Sequence, residues 1–448
     1  MAIAFALKTR NVLLSLFAGI LLALFILNDF SVIDSIIAIF TLFKKLLTTP
    51  WILKTLGFAL LVGSIIALIE RSGAISGFIE YLQSKKNLIQ SKRSALMLSY
   101  IVGVLIFVES SITSLIAGAV GKPLCDKYNI PRAKLAYVCD STSAPICSIV
   151  VLNGWGALLL GLISVQIMQN DLKIEPIALL IESIFYNFYA MLALLMSFLV
   201  IWFDINIGPM KHAKIHNKIN NYKSVGKKVN GLYMVAPLLF MVASVFLFLY
   251  ITGSGDILAG SGSSSIFYTM CSTLVFMFIL YRFGNVMSYG MFRKTSIKGA
   301  IKLFPIVMIL LFSFGIGEVS SELKTGIYLA SLVSESLNPH LLALIIFVLS
   351  GLIAFATGTS WGAFSIMIPV AVPMALAVDA NIALCIGAVI SGGVFGDHCS
   401  PISDTTIISS MASDCEVIEH VQTQLPYALI SGILACALFV IVSYLTHG

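Results

Sequence analysis

The sequence predicts an all-α polytopic membrane protein made of two inverted-topology repeats, each with a re-entrant helical hairpin and a broken transmembrane helix. Three observations carry that expectation. Only 11% of the 448 residues are charged and 59% are hydrophobic, with a mean hydropathy of +1.01. A soluble chain of this length does not look like that, and at about 20 residues per span there is room for ten or more. The order of parts repeats: two spans, a third span, a mixed amphipathic stretch, a polar-tipped hairpin, a broken helix and a final span. The two hairpins also differ in flanking charge, which orients them oppositely under the positive-inside rule.

Residues 1–203 form the N-terminal repeat. Apolar runs at 11–27, 32–47 and 51–69 read as spans. The first has a basic start but no small-residue cleavage site, so it reads as a span and not as a signal peptide. Residues 72–93 are mixed, with an interfacial helix at 73–82. The first hairpin lies at about 95–121. Its apolar arms, 95–108 and 112–120, are too short to span separately and meet at Glu109-Ser110-Ser111. Lys85, Lys86, Lys92 and Arg93 precede it, and Lys122, Lys127, Arg132 and Lys134 follow, so both ends lie in the cytoplasm. The broken helix, about 133–168, is interrupted at Asp140-Ser141-Thr142-Ser143-Ala144-Pro145, where the proline removes a backbone donor. Residues 177–203 read as one full span with Tyr186, Asn187 and Tyr189 near its middle. Residues 204–231 form a basic cytoplasmic linker, with Lys211, Lys214, Lys218, Lys223, Lys227 and Lys228 against one acid, Asp204.

The pattern then restarts in the C-terminal repeat, 232–448. Spans at 232–251 and 266–281 lead to a basic patch, Arg282, Arg293, Lys294, Lys298 and Lys302, and to a span at 303–316. After a mixed stretch comes the second hairpin, about 341–378, with the polar tip Thr357-Gly358-Thr359-Ser360-Trp361-Gly362; its flanks at 331–339 and 379–380 carry only acids. The second broken helix, about 382–412, holds Gly396-Asp397-His398-Cys399-Ser400-Pro401-Ile402-Ser403-Asp404-Thr405-Thr406, and 424–445 is the last span. An odd number of spans per repeat would put the N-terminus outside, where Lys8, Arg10, Lys44, Lys45 and Lys54 sit poorly; the side of the N-terminus stays open.

Ionisable groups at membrane depth are costly and mark ion or substrate pathways. Helices broken in the hydrocarbon survive only where they line a cavity or are buried in protein, and paired breaks in inverted repeats point to the binding site. A hard cation such as Na+ takes oxygen ligands: carboxylates, hydroxyls and freed carbonyls. The ion- and proton-binding candidates are therefore Asp140, Asp397, Asp404 and Glu109, with hydroxyls from Ser110, Ser111, Thr142, Ser143, Ser400, Ser403 and Thr405; Na+ is placed at Asp140 and Asp397. Substrate-binding candidates are Thr357, Thr359, Ser360, His398, Asn153 and Asn187. Asp404, just before Thr405-Thr406-Ile407, also suits a helix cap, and Asn153 and Asn187 also suit hydrogen bonds between helices. Eight cysteines without CxxC or Cys/His metal spacing read as small apolar packing residues, with no transition metal and no cofactor expected. The net charge of +6 sits in short loops and reads as orientation, not as a nucleic-acid surface.

The runs Lys134-Leu135-Ala136-Tyr137, Asp140 to Pro145, Asn153-Gly154-Trp155-Gly156, Gly396 to Thr406 and Gln424-Leu425-Pro426-Tyr427 resemble the NhaC-type Na+/H+ antiporter family of the ion-transporter superfamily. The resemblance covers most of the chain from about residue 50 onward. It implies a scaffold domain, a moving transport domain with elevator-type alternating access, and often a homodimer. It also spans exchangers of organic solutes, such as malate for lactate, and amino-acid carriers.

The leading reading is a secondary transporter of a multi-pass cell inner membrane or plasma membrane, exchanging Na+ for H+ at a mid-membrane site. The alternative is a Na+- or H+-coupled carrier or exchanger of a small organic acid or amino acid. A channel would need a ring-forming filter, which is not evident. A membrane enzyme would need a nucleophile beside a base, for which Ser141 or Ser400 near His398 is the only pairing in view. In a background without exposed thiols, a cysteine at Lys122 is expected to react with membrane-impermeant reagents only from the cytoplasm, and one at Asn338 only from outside. Labelling of both from one side would exclude inverted repeats.

Overall fold

The computed structural model describes residues 12–74, 77–78, 81, 90–107, 109–215, 229–255, 261–323 and 338–446. All regular structure among them is helical. The amphipathic stretches expected at 73–82 and 318–338, and Lys218 to Lys228 of the linker, lie wholly or largely outside the described residues.

The first half contains α1 (Val12–Leu27), α2 (Val32–Thr48), α3 (Pro50–Ser72), α4 (Lys92–Leu105), α5 (Ser110–Tyr128), α6 (Arg132–Ile149), α7 (Gly154–Gln169), α8 (Pro176–Phe185) and α9 (Phe188–Trp202). The second contains α10 (Leu232–Thr252), α11 (Gly262–Phe283), α12 (Tyr289–Lys302), α13 (Phe304–Glu322), α14 (Leu342–Thr357), α15 (Ser360–Ala377), α16 (Ile382–Cys399), α17 (Asp404–Ser413) and α18 (Val417–Thr446). Among the described residues eight helices are long and apolar enough to cross a membrane, or ten if two bent pairs count as one span each. Large apolar side chains such as Leu239, Phe246, Val275 and Ile433 point outward, and buried serines and threonines such as Ser141, Ser143, Thr406 and Ser410 sit within a mainly apolar interior. With lipid outside, small polar residues at helix contacts are well placed to bond between helices.

Helices α6 and α16 form the centre, each buried along almost its whole length. Glycines make the fit around α16 possible. A Cβ at Gly392 would lie 2.2 Å from the Phe347 carbonyl oxygen, and one at Gly396 would lie 2.0 Å from that of Gly351. Four residues apart, the two glycines let α14 and α16 approach backbone to backbone. Gly393 makes the same room for the Phe364 ring of α15.

The breaks are arranged reciprocally. Helices α4 and α5 pair as one hairpin and α6 packs on it; α14 and α15 pair as the other and α16 packs on that. Beyond each break the chain crosses over. Helix α7 packs on α15 of the second hairpin, and α17 packs on α5 of the first.

Three details differ from the sequence reading. Helix α6 runs unbroken through Asp140 to Pro145 and stops only at Ile149. The interruption is set by Asn153, whose amide nitrogen donates to the Phe107, Cys147 and Val150 carbonyls while its oxygen accepts from the Trp155 and Gly156 N–H groups. Pro145 removes a single N–H, whereas Asn153 ends one helix and caps the next. The stretch 177–203 is not one straight span: α8 and α9 meet at 44°. Asn187 at that corner donates to Ser148 Oγ at 2.9 Å and accepts from Ser391 Oγ at 3.0 Å, tying α9 to α6 and α16. No proline or glycine announced this bend. The second arm of the first hairpin is also longer than expected, continuing past Val120 to Tyr128.

The linker begins with an anchor. Lys134, buried on α6, donates to the Asp204 carboxylate and, at 3.0 Å, to Asn206 Oδ1. Partial burial raises the Asp204 carboxyl, but the Lys134 ammonium outweighs it and holds the group below the usual range.

Gly396→Ala is expected to destabilise the protein, because its Cβ meets backbone that cannot give way; overpacking of this kind costs about 1–3 kcal/mol. Gly290→Ala, with nothing within 4 Å of the added carbon, should leave stability unchanged or raise it. Thermal unfolding of the purified proteins separates the two.

Candidate functional site

The second break, Ser400 to Ser403, delivers most of the site. Ser403 caps α17, its Oγ accepting from the Thr406 N–H at 3.4 Å. The same hydroxyl donates to Asp397 Oδ1 at 2.5 Å. Ser360 Oγ, at the start of α15, donates to Asp397 Oδ2 at 2.9 Å and lies 3.2 Å from the Gly393 carbonyl oxygen. Thr405 Oγ1 donates to Oδ2 at 3.3 Å. Asp397 is 1% exposed and has no cation beside it among the described residues. Its neighbours are hydroxyls and a carbonyl, held there by two helix ends.

Asp140 is fully buried and differently surrounded. Gln424 Nε2 of α18 donates to Oδ2 at 2.7 Å and to the His398 carbonyl at 2.8 Å. His420 Nε2 lies 3.3 Å from Oδ2, Ser409 Oγ donates to Oδ1 at 3.3 Å, and Thr406 Oγ1 donates to Oδ2 at 3.4 Å. Ser409 Oγ in turn contacts Ser114 Oγ of α5 at 3.0 Å. Thr406 Oγ1 also lies 3.5 Å from the Asp397 carbonyl oxygen. His398 spans between helices, with Nε2 3.1 Å from the Asp140 carbonyl and Nδ1 3.1 Å from the Tyr189 hydroxyl. Two buried polar atoms beside this network lack a hydrogen-bond partner: His420 Nδ1 and Gln424 Oε1.

The two carboxylates therefore sit in chemically different shells. A hydroxyl has both a proton and lone pairs, and it can rotate from donating to a carboxylate to ligating a cation. An N–H offers only its proton. The surroundings of Asp397 are convertible to a cation cage; those of Asp140 are partly committed to N–H donors.

Of the residues expected from sequence, the structure brings Asp140, Asp397, His398, Ser403, Thr405 and Ser360 into one connected cluster. The others serve elsewhere. Glu109 caps α5, accepting from the Ile112 N–H at 2.9 Å, and Ser110 donates to it at 3.4 Å. Ser111 is half-buried beside them. Thr142 bonds the Val138 carbonyl and packs against Gly103 of α4, and Ser143 bonds the Asp140 carbonyl. Ser400 Oγ donates to the Phe355 carbonyl at 2.8 Å, tying the break to the second hairpin. Thr357 bonds the Ile353 carbonyl, and Thr359 stands at the cap position of α15 without a side-chain bond to it. Asp404 is exposed and accepts from the Thr405 N–H at 2.9 Å; Ser403, not Asp404, is the cap. Asn153 and Asn187 stitch helices, as described above.

Sequence reasoning missed Thr406, Ser409, His420 and Gln424 as site residues, along with Ser114 and Tyr189. Gln424 stood in a motif already singled out. His420 lay beyond the last span as read, because α18 begins at Val417, earlier than hydropathy indicated.

This fold, with polar groups converging at helix breaks inside an apolar bundle, defines a multi-pass membrane protein of the secondary-transporter class. The chain belongs to the Na+/H+ antiporter family, whose model matches residues 154–444. A protein of Haemophilus influenzae described only as uncharacterized is 32% identical over all of this chain and 90% of its own length. The malate-2H+/Na+-lactate antiporter of Bacillus subtilis is 29% identical over 25% of this chain and 24% of that one. Among solved structures, the Alcanivorax borkumensis YdaH transporter superposes with a TM-score of 0.63 at 15% identity, covering 91% of this chain and 88% of that one. At that identity the likeness concerns the fold alone.

Ser403→Ala removes the closest donor to Asp397, and a hydrogen bond to a charged group contributes about 1.5–3 kcal/mol. Coupled transport is expected to fall at least about tenfold. Ser400→Ala strips the Phe355 carbonyl of a donor and the Ile402 N–H of an acceptor but touches neither carboxylate, and should lower the unfolding temperature with transport changed less than about twofold. Transport assays and thermal unfolding on both variants check the contrast.

Proposed function

We propose that this protein is an NhaC-type antiporter that exchanges Na+ for H+ across the cell inner, or plasma, membrane, using Asp397 as the shared carrier. The observation that carries the reading is the Asp397 carboxylate, buried at a helix break and ringed by the hydroxyls of Ser360, Ser403 and Thr405. With Na+ bound, the ionised carboxylate and turned hydroxyls supply hard oxygen ligands, and the Gly393 carbonyl lies within the same shell. When Na+ leaves, a proton on Asp397 removes the uncompensated charge that burial penalises. Na+ and H+ then exclude one another, and alternating access of the site to the two sides of the membrane turns that exclusion into exchange.

Asp140 holds the frame in this reading. Its bonds to Gln424, His420, Thr406 and Ser409 tie α6 to α17 and α18. A cation at Asp140 would compete with those N–H donors, so Na+ is assigned first to Asp397. Among the described residues the contributing side chains come from α5, α6, α9, α15, α16, α17 and α18, and none from α1–α3 or α10–α13. That division fits a transport domain of hairpins and broken helices moving by an elevator-type motion against a scaffold, with a homodimer joined through the scaffold.

A second reading, exchange of a small organic acid or amino acid coupled to Na+ or H+, has one specific support. The first turn of α15 has no side-chain cap at Thr359, and open N–H groups at a helix start suit a carboxylate.

Asp397→Asn is expected to abolish Na+-driven proton movement in proteoliposomes while the protein still folds and inserts. Wild-type rates would remove Asp397 from the site. In the wild type, apparent Na+ affinity should fall about tenfold per unit of pH in the range where one proton competes, with the maximum rate changing much less. Affinity that stays flat from about pH 8 to about pH 6, together with uptake of a labelled organic acid or amino acid, would favour the second reading.

A further inference from the structure

A second charged site lies away from the transport cluster, between α3 and α12. The cleft has a volume of about 700 Å³ and is lined by Arg71 from the last turn of α3 and by Lys294, Lys298 and Lys302 of α12. The lysines are four residues apart and share one face of α12. Like charges at this spacing repel, so the helix holds them at a cost. One acid lines the cleft, Glu70, 3.8 Å from Lys302. Against four cations it leaves the lining strongly positive, and Arg71, Lys294 and Lys298 make no ion pair among the described residues.

The cleft is a fixed feature. Gly63 and Gly299 bring the two backbones together, since a Cβ on either would lie within 2.4 Å of the other's carbonyl oxygen. Ser64 Oγ donates to the Ser296 carbonyl at 2.9 Å. Beside the lysines, α12 exposes Tyr289, Ile297 and Ile301, each more than half exposed. A helix with a lysine-rich face and an apolar outer edge belongs at the membrane–water boundary. Its side is indicated by its approach: the Tyr281 hydroxyl donates to the Tyr233 carbonyl at 2.9 Å, so the end of α11 sits beside the start of α10, just past the basic linker. By charge bias that is the cytoplasmic leaflet.

We infer that this cleft binds the phosphodiester headgroup of an anionic phospholipid of the cytoplasmic leaflet, with its acyl chains lying along Tyr289, Ile297 and Ile301. Basic pockets between membrane helices on the cytoplasmic side suit such headgroups, and charge alone would equally attract free phosphate. The apolar edge is what commits the site to a lipid. This inference does not depend on the ion carried at Asp397.

The test uses the full chain purified in neutral detergent and titrated with phosphatidylglycerol, phosphatidylcholine or inorganic phosphate, with bound lipid counted by native mass spectrometry. Phosphatidylglycerol should bind the wild type, and phosphatidylcholine should not compete. The double variant K294Q/K298Q should lose about twenty-fivefold in affinity, at roughly fivefold per basic side chain near an anionic surface, and K294R/K298R should retain it. Both lysines are exposed and make no ion pair among the described residues, so the glutamine variant should unfold at the wild-type temperature; if it does not purify, R71Q on the other helix gives the same reading with about a fivefold loss. Unchanged phosphatidylglycerol binding in the glutamine variants, or equal binding of phosphatidylcholine, would overturn the lipid site. Displacement of the lipid by equimolar inorganic phosphate would reassign the cleft to a soluble anion.

Discussion

Two carboxylates buried inside an apolar bundle, with no lysine or arginine paired to them among the described residues, are the constraint on which the rest of this structure depends. An ionised carboxylate out of water is costly unless other groups take over the work of its hydration shell. Here that work is divided. Around Asp397 it falls to hydroxyls brought by the start of α15 and by the α16–α17 break. Around Asp140 it falls to an amide, an imidazole and two hydroxyls from α17 and α18. Supplying those groups requires helices to end in the middle of the bundle, and each end must itself be satisfied. Ser403 and Asn153 do both jobs, capping one helix while bonding a partner elsewhere.

The reciprocal crossing of α7 and α17 follows from the same need. A helix that stops halfway leaves half a helix to be packed, and each such piece finds its place against the helical hairpin in the other half of the chain. Close packing around α16 then depends on glycine, because the hairpin α14–α15 must come near enough for Ser360 to reach Asp397. Gly392 and Gly396 permit the approach of α14, and Gly393 that of α15. A methyl group added on that face would meet the α14 backbone or the Phe364 ring.

The chemical difference between the two shells separates roles that the carboxylates alone would leave equal. Hydroxyls can serve a cation and a carboxylate in turn, whereas N–H groups favour the anion alone. Asp397 is thereby suited to alternating occupancy and Asp140 to holding α6, α17 and α18 together. The basic cleft at α12 belongs to a different interaction, between the helices outside the cluster and the surrounding leaflet.

By itself the sequence determined that this is an apolar helical membrane protein, that paired short apolar arms and helix breaks recur in both halves, and that a wide set of polar residues in apolar runs is unusual, Asp404, Glu109, Thr142 and Ser400 as much as Asp140, Asp397, Ser403, Thr405, Ser360 and His398. These are local signals: a polar group in an apolar run, a proline, a polar tip between short arms. Where helices stop was less legible. Pro145 looked like a break and is not one, because a packed helix tolerates one missing N–H, while Asn153 ends the helix through partners up to 46 residues away. The bend at Asn187 left no composition mark, since it depends on Ser148 and Ser391 of other helices. Only tertiary structure decided which hydroxyls face Asp397, that Glu109 and Ser403 are caps, and that His420 and Gln424 reach Asp140 from 280 and 284 residues away. The physical reason is that a buried charge is stabilised by whatever donors folding brings within about 3 Å, and sequence distance carries no information about that.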